Sequence, residues 1–314
     1  MKWRTEVEIP GGTPKIRYTD AIITLGSCFA DHLGSKLSYY QFPCMGNPFG
    51  VIFHPVPMAN LLRRAVEGRS FTPDDLFSTQ NRWGSLQAHT SLSGNTPEEA
   101  SQVLNRQLDA LGKALKDSTH LVLTLGTAYG YRNLENGHLV ANCHKLPGTA
   151  FERELTPVKN LMACLEEICA LARSFNREMT CLFTVSPIRH LRDGLVENQR
   201  SKAHLITAVH QVVDKGLADY FPSYEIFMDE LRDYRFYDRD LIHPSEQAVD
   251  FVWEQFESAW IHGDAKTVMQ EVDAIRRGLA HRPIHQDSAA HREFRETLAI
   301  RVKRLQEKHP YMSF

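Results

Sequence analysis

Five short apolar runs, separated by longer amphipathic segments, constrain the fold of this chain more than any other feature. The runs HLVLTLG and MTCLFTV are almost continuously hydrophobic, as expected of strands that are buried on both faces. Strands that alternate with helices favour an open parallel α/β sheet covered by helices on both sides. The predicted strands span 21–25, 41–45, 120–126, 179–185 and 224–228.

The segments between these runs carry signals that start helices. Thr96-Pro97-Glu98-Glu99 is a capping box with proline at the first helical position. Thr156-Pro157 begins another helix, and a helix is expected to follow Ser27 up to about Tyr39. Besides the helix after Ser27, the predicted helices span 55–66, 97–116, 157–173, 197–218 and 245–261.

Two insertions and a helical extension depart from this alternation. Residues 67–95 predict a long structured loop, and 129–150 should hold a tight hairpin at Asn136-Gly137. Helices at 264–280 and 289–308, joined by a turn at 281–284, predict a docked helical hairpin. The domain organisation expected is a main domain at 1–261 and a C-terminal extension at 262–314.

The composition narrows the function classes. The 314 residues are 42% hydrophobic and 24% charged, and a net charge of −2 gives no whole-chain reason to bind nucleic acid or anionic membranes. No apolar run approaches the roughly 20 residues of a membrane span. The polar start predicts no export, and six cysteines without a C-x-x-C pair favour free thiols in the cytoplasm. We expect no metal and no other cofactor.

Ser27 is placed where an α/β protein binds its ligands. Ligands of an open parallel sheet bind beyond the carboxyl ends of the strands. Ser27 lies where the first strand turns into a helix, so free N–H groups and the helix dipole could stabilise an oxyanion there. The competing interpretation is that Ser27 only caps the helix.

A base for this serine is expected in Asp240-Leu241-Ile242-His243, just beyond the fifth predicted strand. A neutral imidazole can take the proton of a serine, and a carboxylate orients that imidazole. The same spacing occurs in Asp117-Ser118-Thr119-His120, but that segment enters the third strand and lies on the opposite edge from Ser27. Asp238 competes with Asp240 as the orienting carboxylate, and Asp240 is favoured by its spacing.

Gly26-Ser27-Cys28-Phe29-Ala30 resembles the name motif of the GSCFA family, and other stretches are similar to that family in the same order. The family looks like a branch of the SGNH/GDSL hydrolases. That resemblance implies a five-stranded parallel sheet of flavodoxin-like order and activity on O-acyl esters, including O-acetyl groups. The further stretches are GNPFG (46–50), LGTA (125–128), NCHKLP (142–147), VSPIRH (185–190) and DELRDYRFY (229–237).

The resemblance also implies roles for individual residues. Ser27 resembles the nucleophile, His243 the base and Asp240 the orienting carboxylate of a catalytic triad. The oxyanion hole of the superfamily would use the N–H of Ser27 and a second-block glycine, for which Gly50 is the candidate and Gly46 the alternative.

The third block departs from the superfamily, which has an asparagine there. Gly126-Thr127-Ala128-Tyr129 contains none, so Thr127 and Asn47 are the remaining candidate donors to the oxyanion hole. Loss of one such donor typically costs about 10²–10³ in rate.

Cationic side chains follow the fourth predicted strand. Arg189 and His190 could hold a carboxylate, a phosphate or a sugar hydroxyl of the substrate. A salt bridge from Arg189 to Asp193 or Glu197 is the alternative. His144 and Lys145 leave the inserted hairpin and could close over the same pocket.

The favoured function is a serine ester hydrolase that acts on a small polar metabolite or carbohydrate ester through an acyl-Ser27 intermediate. An acyltransferase of the same mechanism and a non-catalytic binding module are the alternatives. Cys28 as nucleophile and a metal site at Cys143 and His144 are disfavoured, because Cys28 falls inside the first helical turn and adjacent ligands rarely share a metal.

Overall fold

A computed structural model describes residues 4–282 and 288–314 of the chain. Within these residues, nine strands form one five-stranded sheet and two two-stranded sheets. The strands are β1 (Ile22–Gly26), β2 (Cys44–Gly46), β3 (Phe77–Thr79), β4 (Arg82–Gly84), β5 (His120–Leu125), β6 (Tyr129–Asn133), β7 (Phe151–Leu155), β8 (Thr180–Val185) and β9 (Asp219–Tyr220).

Helices of the described residues surround the sheet and continue beyond it. The start of α3 follows ordinary capping chemistry: Thr96 accepts a hydrogen bond from the N–H of Glu99, and Pro97 occupies the first helical position. The helices are α1 (Cys28–Tyr39), α2 (Pro55–Glu67), α3 (Pro97–Asp117), α4 (Val158–Phe175), α5 (Leu195–Val213), α6 (Ser223–Glu225), α7 (Glu246–Trp260), α8 (Gly263–Ala280) and α9 (Ala289–Lys308).

The central sheet has the order β2-β1-β5-β8-β9, and every neighbouring pair is parallel. This confirms the predicted α/β class with a five-stranded, flavodoxin-like sheet. The strand order reverses between β1 and β5, so the expected ligand crevice lies beyond the carboxyl ends of these two strands. Ser27 follows β1 directly, and Gly126 and Thr127 follow β5.

Alternating side chains of the strands supply two apolar cores, one on each face of the sheet. Ile23 and Leu123 point into the core shared with α2–α5, whereas Ile22 and Val122 point into the core shared with α1 and α7. Each fully buried side chain of this size stabilises the fold by about 1.5–3 kcal/mol.

The C-terminal helices belong to the second core. Met269 and Val272 of α8, and Leu298 and Leu305 of α9, are buried in the same cluster as Trp253 of α7. The two helices are therefore docked on the main domain, as expected. The predicted turn at 281–284 runs into residues 283–287, which lie outside the described residues. No helix within 4–282 or 288–314 has the length and apolarity needed to cross a membrane.

The fifth strand is not where the sequence predicted it. The strand is β9, whereas 224–228 lies in α6 and in a π-helical turn, Ile226–Glu230, that continues it. A run of five apolar and polar residues is compatible with either a strand or a buried helical turn, so periodicity could not separate them. Helix α5 also ends earlier than predicted, before Gly216 with its positive φ of 68°.

Both insertions contain structure that the sequence showed only in part. Residues 67–95 include the β3–β4 hairpin, which was predicted only as a loop. The turn at Asn136-Gly137 is present, since the N–H of Asn133 donates to the carbonyl of His138. However, the main partner of β6 is β7, which was not predicted.

Candidate active site

Ser27 caps α1 and is completely buried. Its Oγ accepts a hydrogen bond from the N–H of Phe29 at 3.3 Å, and its own N–H donates to the carbonyl of Thr124 at 3.0 Å. Gly26 precedes it with a φ of 142°, and a Cβ there would lie 2.1 Å from the Thr124 carbonyl oxygen. Only glycine therefore allows β1 to pass β5 closely enough to place Ser27 at this turn.

Asp240 and His243 form a dyad on a closed loop. The loop is held at its base by an antiparallel bridge between Tyr237 and Pro244, and by a hydrogen bond from the N–H of Asp238 to the His243 carbonyl at 2.8 Å. One oxygen of Asp240 lies 2.6 Å from His243 Nδ1, and the other accepts from the His243 N–H at 2.9 Å. Both side chains remain more than two-fifths exposed.

The electrostatics of the dyad favour a charged carboxylate and a defined imidazole tautomer. The His243 side chain, followed by the backbone N–H groups of His243 and Ile242, lowers the pKa of Asp240 to about 2. A carboxylate can only accept, so the proton between the two groups lies on Nδ1, and Nε2 is left as the acceptor. The Asp238 carboxylate makes no hydrogen bond to the imidazole in the described residues and accepts from the Arg239 N–H at 2.7 Å.

The dyad lies at the same edge of the sheet as Ser27. Burial lowers the pKa of His32, in α1, and the nearby His243 lowers it further. Burial also lowers the pKa of His190, just after β8, to about 3, with Lys202 and His243 contributing. The N–H of Arg189, just after β8, donates to the Ile242 carbonyl at 3.4 Å, which holds the dyad loop at the carboxyl end of that strand. The other Asp-x-x-His match starts β5 at the opposite edge, where His120 Nε2 contacts the Pro14 carbonyl at 3.2 Å.

Asn47 and Gly50, two of the predicted oxyanion donors, form hydrogen bonds that fix the loop after β2. Asn47 Oδ1 accepts from the Gly26 N–H at 2.8 Å, and Asn47 Nδ2 donates to Asp31 at 2.6 Å. The N–H of Gly50 donates to the Asn47 carbonyl at 2.8 Å. Asn47 thereby ties this loop to the residue directly before Ser27, and its amide would have to exchange partners to reach an oxyanion.

The other two predicted donors are also engaged. The Thr127 hydroxyl lies 3.0 Å from Ser201 Oγ and accepts from the Tyr129 N–H, while the Ser27 N–H donates to β5. The oxyanion roles of Ser27, Gly50, Thr127 and Asn47 therefore stay predictions that require existing hydrogen bonds to open. Burial raises the pKa of the Cys28 thiol, with Asp31 adding to it, which disfavours a thiolate nucleophile.

Arg189 is a link between β8 and the dyad loop. Its N–H donates to the Ile242 carbonyl at 3.4 Å, and Nη1 donates to the Leu241 carbonyl at 3.3 Å. Neither carboxylate of the alternative interpretation pairs with it: Asp193 instead binds Arg153 at 2.7 Å, and Glu197 forms no ion pair with Arg189 in the described residues. The guanidinium lies 4.0 Å from the ring centre of Tyr237.

His190 and Lys202 lie at the carboxyl ends of β5 and β8. His190 Nε2 is buried without a hydrogen-bond partner in the described residues, and its ring lies edge-on to Phe53 at 5.0 Å. Lys202 is fully buried, and its Nζ donates to the carbonyls of Gly126 and Ser186, both at 2.6 Å. Burial lowers the pKa of Lys202 to about 7.

Lys202 is a polar residue of the site that no sequence motif indicates, although the helical pattern around it carries a signal. It lies on the buried stripe of α5 together with Asn198, Leu205 and Val209, at helical spacing. A lysine on such a stripe must find polar partners inside the protein. Here these partners are the carbonyls that end β5 and β8.

The His144 ring is bonded within the two insertions, and its role in closing over the pocket stays a prediction. It is buried, and its Nε2 lies 2.8 Å from the Ser85 carbonyl and 3.0 Å from the Ala88 carbonyl. His144 therefore holds the 67–95 insertion against the second one. Lys145 is exposed, and its side chain makes no polar contact in the part of the chain that the structure describes.

Comparison with known protein families agrees with the motif at Gly26–Ala30. A family model described as the GSCFA family matches residues 21–256, which include every element from β1 to most of α7. The chain belongs to the GSCFA family. A second model, the C-terminal domain of GSCFA domain proteins, matches residues 272–314. A search of the curated proteins finds no match to this GSCFA chain.

Proposed function

We propose that this GSCFA protein is a serine-dependent ester hydrolase that removes O-acyl groups from a small polar metabolite or a carbohydrate. The observation that carries the proposal is the Asp240–His243 dyad at the sheet edge where Ser27 begins α1. An ionised carboxylate on Nδ1 leaves Nε2 ready to accept a proton from a serine. The resemblance to SGNH hydrolases supports the same assignment.

In the proposed reaction, Ser27 Oγ attacks the ester carbonyl carbon while His243 Nε2 takes the hydroxyl proton. The tetrahedral intermediate collapses, its C–O bond to the leaving group breaks, and His243 returns the proton to the departing alcohol. Water then attacks the acyl-Ser27 ester, His243 takes the water proton, and the carboxylic acid leaves as Ser27 recovers its proton. Attack by a sugar or other alcohol in place of water would make the same protein an acyltransferase.

The N–H of Cys28 is the donor best placed to stabilise the oxyanion. It is the first amide of α1, directly after Ser27, and donates to no oxygen in residues 4–282 and 288–314. The positive end of the helix dipole adds to its effect. Because Ser27 is buried, an ester reaches Oγ only when the neighbouring side chains move apart.

The test of the proposal is hydrolysis of a small activated ester such as 4-nitrophenyl acetate by the full chain. We expect turnover by the unmodified protein and loss by at least about 10³-fold in Ser27→Ala and in His243→Ala. Circular dichroism checks that both variants are folded. Equal turnover by the folded Ser27→Ala variant would overturn the proposal.

A non-catalytic binding module is the second candidate, and the burial of Ser27 together with the occupied oxyanion donors favours it. A binding module would bind its ligand but show no ester turnover, even in the unmodified protein. The two candidates therefore differ in the same set of measurements.

A further inference from the structure

A cavity of about 340 Å³ lies beside the dyad loop, and neither the proposed reaction nor the family match gives it a role. Its size falls within the range of small-molecule sites. One wall is the π-helical turn Ile226–Glu230, a feature that often marks functional sites. The residues on which the argument depends are Arg189, Gln199, Tyr224, Met228, Tyr234 and Tyr237.

The cavity and the dyad share structural elements. Tyr237 lines the cavity and also pairs with Pro244 at the base of the loop that carries Asp240 and His243. Arg189 lines the cavity and donates to the Leu241 carbonyl at 3.3 Å. A ligand in the cavity therefore lies next to the dyad loop.

Arg189 is a cation without a carboxylate partner in the described residues. The two acidic residues of the cavity are directed to other arginines: Asp233 binds Arg235 at 3.0 Å, and Asp229 lies 4.0 Å from Arg232. The Arg189 guanidinium lies against Tyr237 at 4.0 Å and near Tyr234 at 5.4 Å, and within residues 4–282 and 288–314 only its Nη1 has an acceptor. Its remaining N–H groups are left to bind an anion.

We propose that this cavity binds an anionic group of the substrate, a carboxylate or a phosphate, through Arg189, while the tyrosine rings cover the adjoining ring of the molecule. A guanidinium held against an aromatic face presents its edge N–H groups in the planar arrangement that carboxylates and phosphates accept. The inference rests on the proposed function for its substrate class. The ester would then carry its negative charge on the side away from the acyl group.

Binding is measured first, because it does not depend on turnover. The probes are benzoate, phenyl phosphate and neutral benzyl alcohol, titrated calorimetrically into the full chain and into Ser27→Ala, Arg189→Gln and Arg192→Gln. Arg192 is the matched control, since it follows in the same segment but lies over Tyr131 at 5.5 Å. We expect at least one anion to bind about tenfold or more tightly than benzyl alcohol. Arg189→Gln should remove that preference, and Arg192→Gln and Ser27→Ala should keep it.

Turnover of matched esters links the cavity to the reaction. Phenyl acetate, 4-acetoxybenzoate and 4-acetoxyphenyl phosphate differ only in the charged group, so their kcat/KM values separate neutral, carboxylate and phosphate substrates. We expect one of the anionic esters to be preferred, through KM, and the preference to disappear in Arg189→Gln.

The outcomes distinguish the two proposals. Anion binding that depends on Arg189 without any ester turnover supports the cavity and removes the esterase. Ester turnover together with equal affinity for neutral and anionic probes would contradict the anion site and support the proposed ester hydrolysis. If Arg189→Gln does not fold, Tyr234→Ala, an exposed wall residue, should weaken binding of both aromatic anions; unchanged affinity there overturns the inference.

Discussion

Asp240 fixes the tautomer and the orientation of His243 by accepting hydrogen bonds from both the ring and the main chain of that residue. Its low pKa keeps it charged throughout the neutral range, because the hydrogen bonds favour the ionised form. The imidazole is thus held with Nε2 as the acceptor at any pH at which the ring itself is neutral.

Replacement of this carboxylate tests its role without a large change in shape. We expect Asp240→Asn to lower kcat for ester hydrolysis by about 10²–10⁴-fold, because the amide no longer specifies the tautomer. Asp238→Asn is the matched control, since Asp238 lies in the same loop and its carboxylate bonds the Arg239 N–H rather than the ring. Steady-state kinetics of both variants decide the matter: an equal effect of the two changes would contradict the assignment.

The dyad was predictable, whereas the surroundings of Ser27 were not. The Asp-x-x-His spacing and its place after the sheet were enough to choose Asp240 over Asp117. The fully buried state of Ser27 and the use of Asn47 as a tie to Gly26 depend on how separate loops meet. Long-range contacts of this kind leave no periodic pattern in the sequence.

Helix α5 joins the carboxyl ends of β5 and β8 through Lys202, whose two acceptors are main-chain carbonyls of these ends. A neutral amine has two N–H donors, which is the number of acceptors that Lys202 finds. The protonated form costs free energy because it is removed from water without a counter-ion.

This arrangement predicts a dependence of stability on pH. The pKa of Lys202 falls from 10.5 to about 7 on burial, so between these values the unfolded chain holds a proton that the folded protein has released. The free energy of unfolding should rise with pH across this window, by at most about 1.4 kcal/mol per pH unit. Below about pH 7, the titration of Lys202 should not change the free energy of unfolding.

Urea unfolding at several pH values between about 7 and 10 measures the effect, and Lys202→Met removes it. Lys113→Met, on the exposed side of α3, is the matched control and should keep the slope of the unmodified protein. Parallel pH profiles for the unmodified protein and Lys202→Met would show that Lys202 does not titrate in this way.

The regular elements followed from the sequence more completely than the irregular ones. Buried runs such as β5 and β8 and capped helices such as α3 carry strong local signals. The two-residue β9 carries almost none, and β7 forms only because β6 lies beside it. Apolar residues 226–228 suit a helical turn as well as a strand, so only packing decides between them.

The whole molecule places Ser27 and His243, which are more than two hundred positions apart, at one edge of the sheet, and no hydrogen bond joins them in residues 4–282 and 288–314. Ser27 is placed by β1, and His243 by a loop held between β8 and α7, so neither position is defined until the parallel sheet has formed. The C-terminal helices belong to this same assembly, since they complete the core that α1 and α7 share. The C-terminal extension, which the sequence predicts as a separate unit, therefore packs in the same core as α1, the helix that Ser27 begins.

Covalent labelling tests the meeting of these distant residues most directly. A fluorophosphonate reacts with a serine only where a base removes its proton, so the adduct reports that Ser27 and His243 act together. The full chain is incubated with the probe, and the modified residue is located by mass spectrometry of its peptides. We expect one adduct, on Ser27, that is absent in Ser27→Ala and strongly reduced in His243→Ala; a folded protein without an adduct, or with the adduct on another serine, would contradict the account.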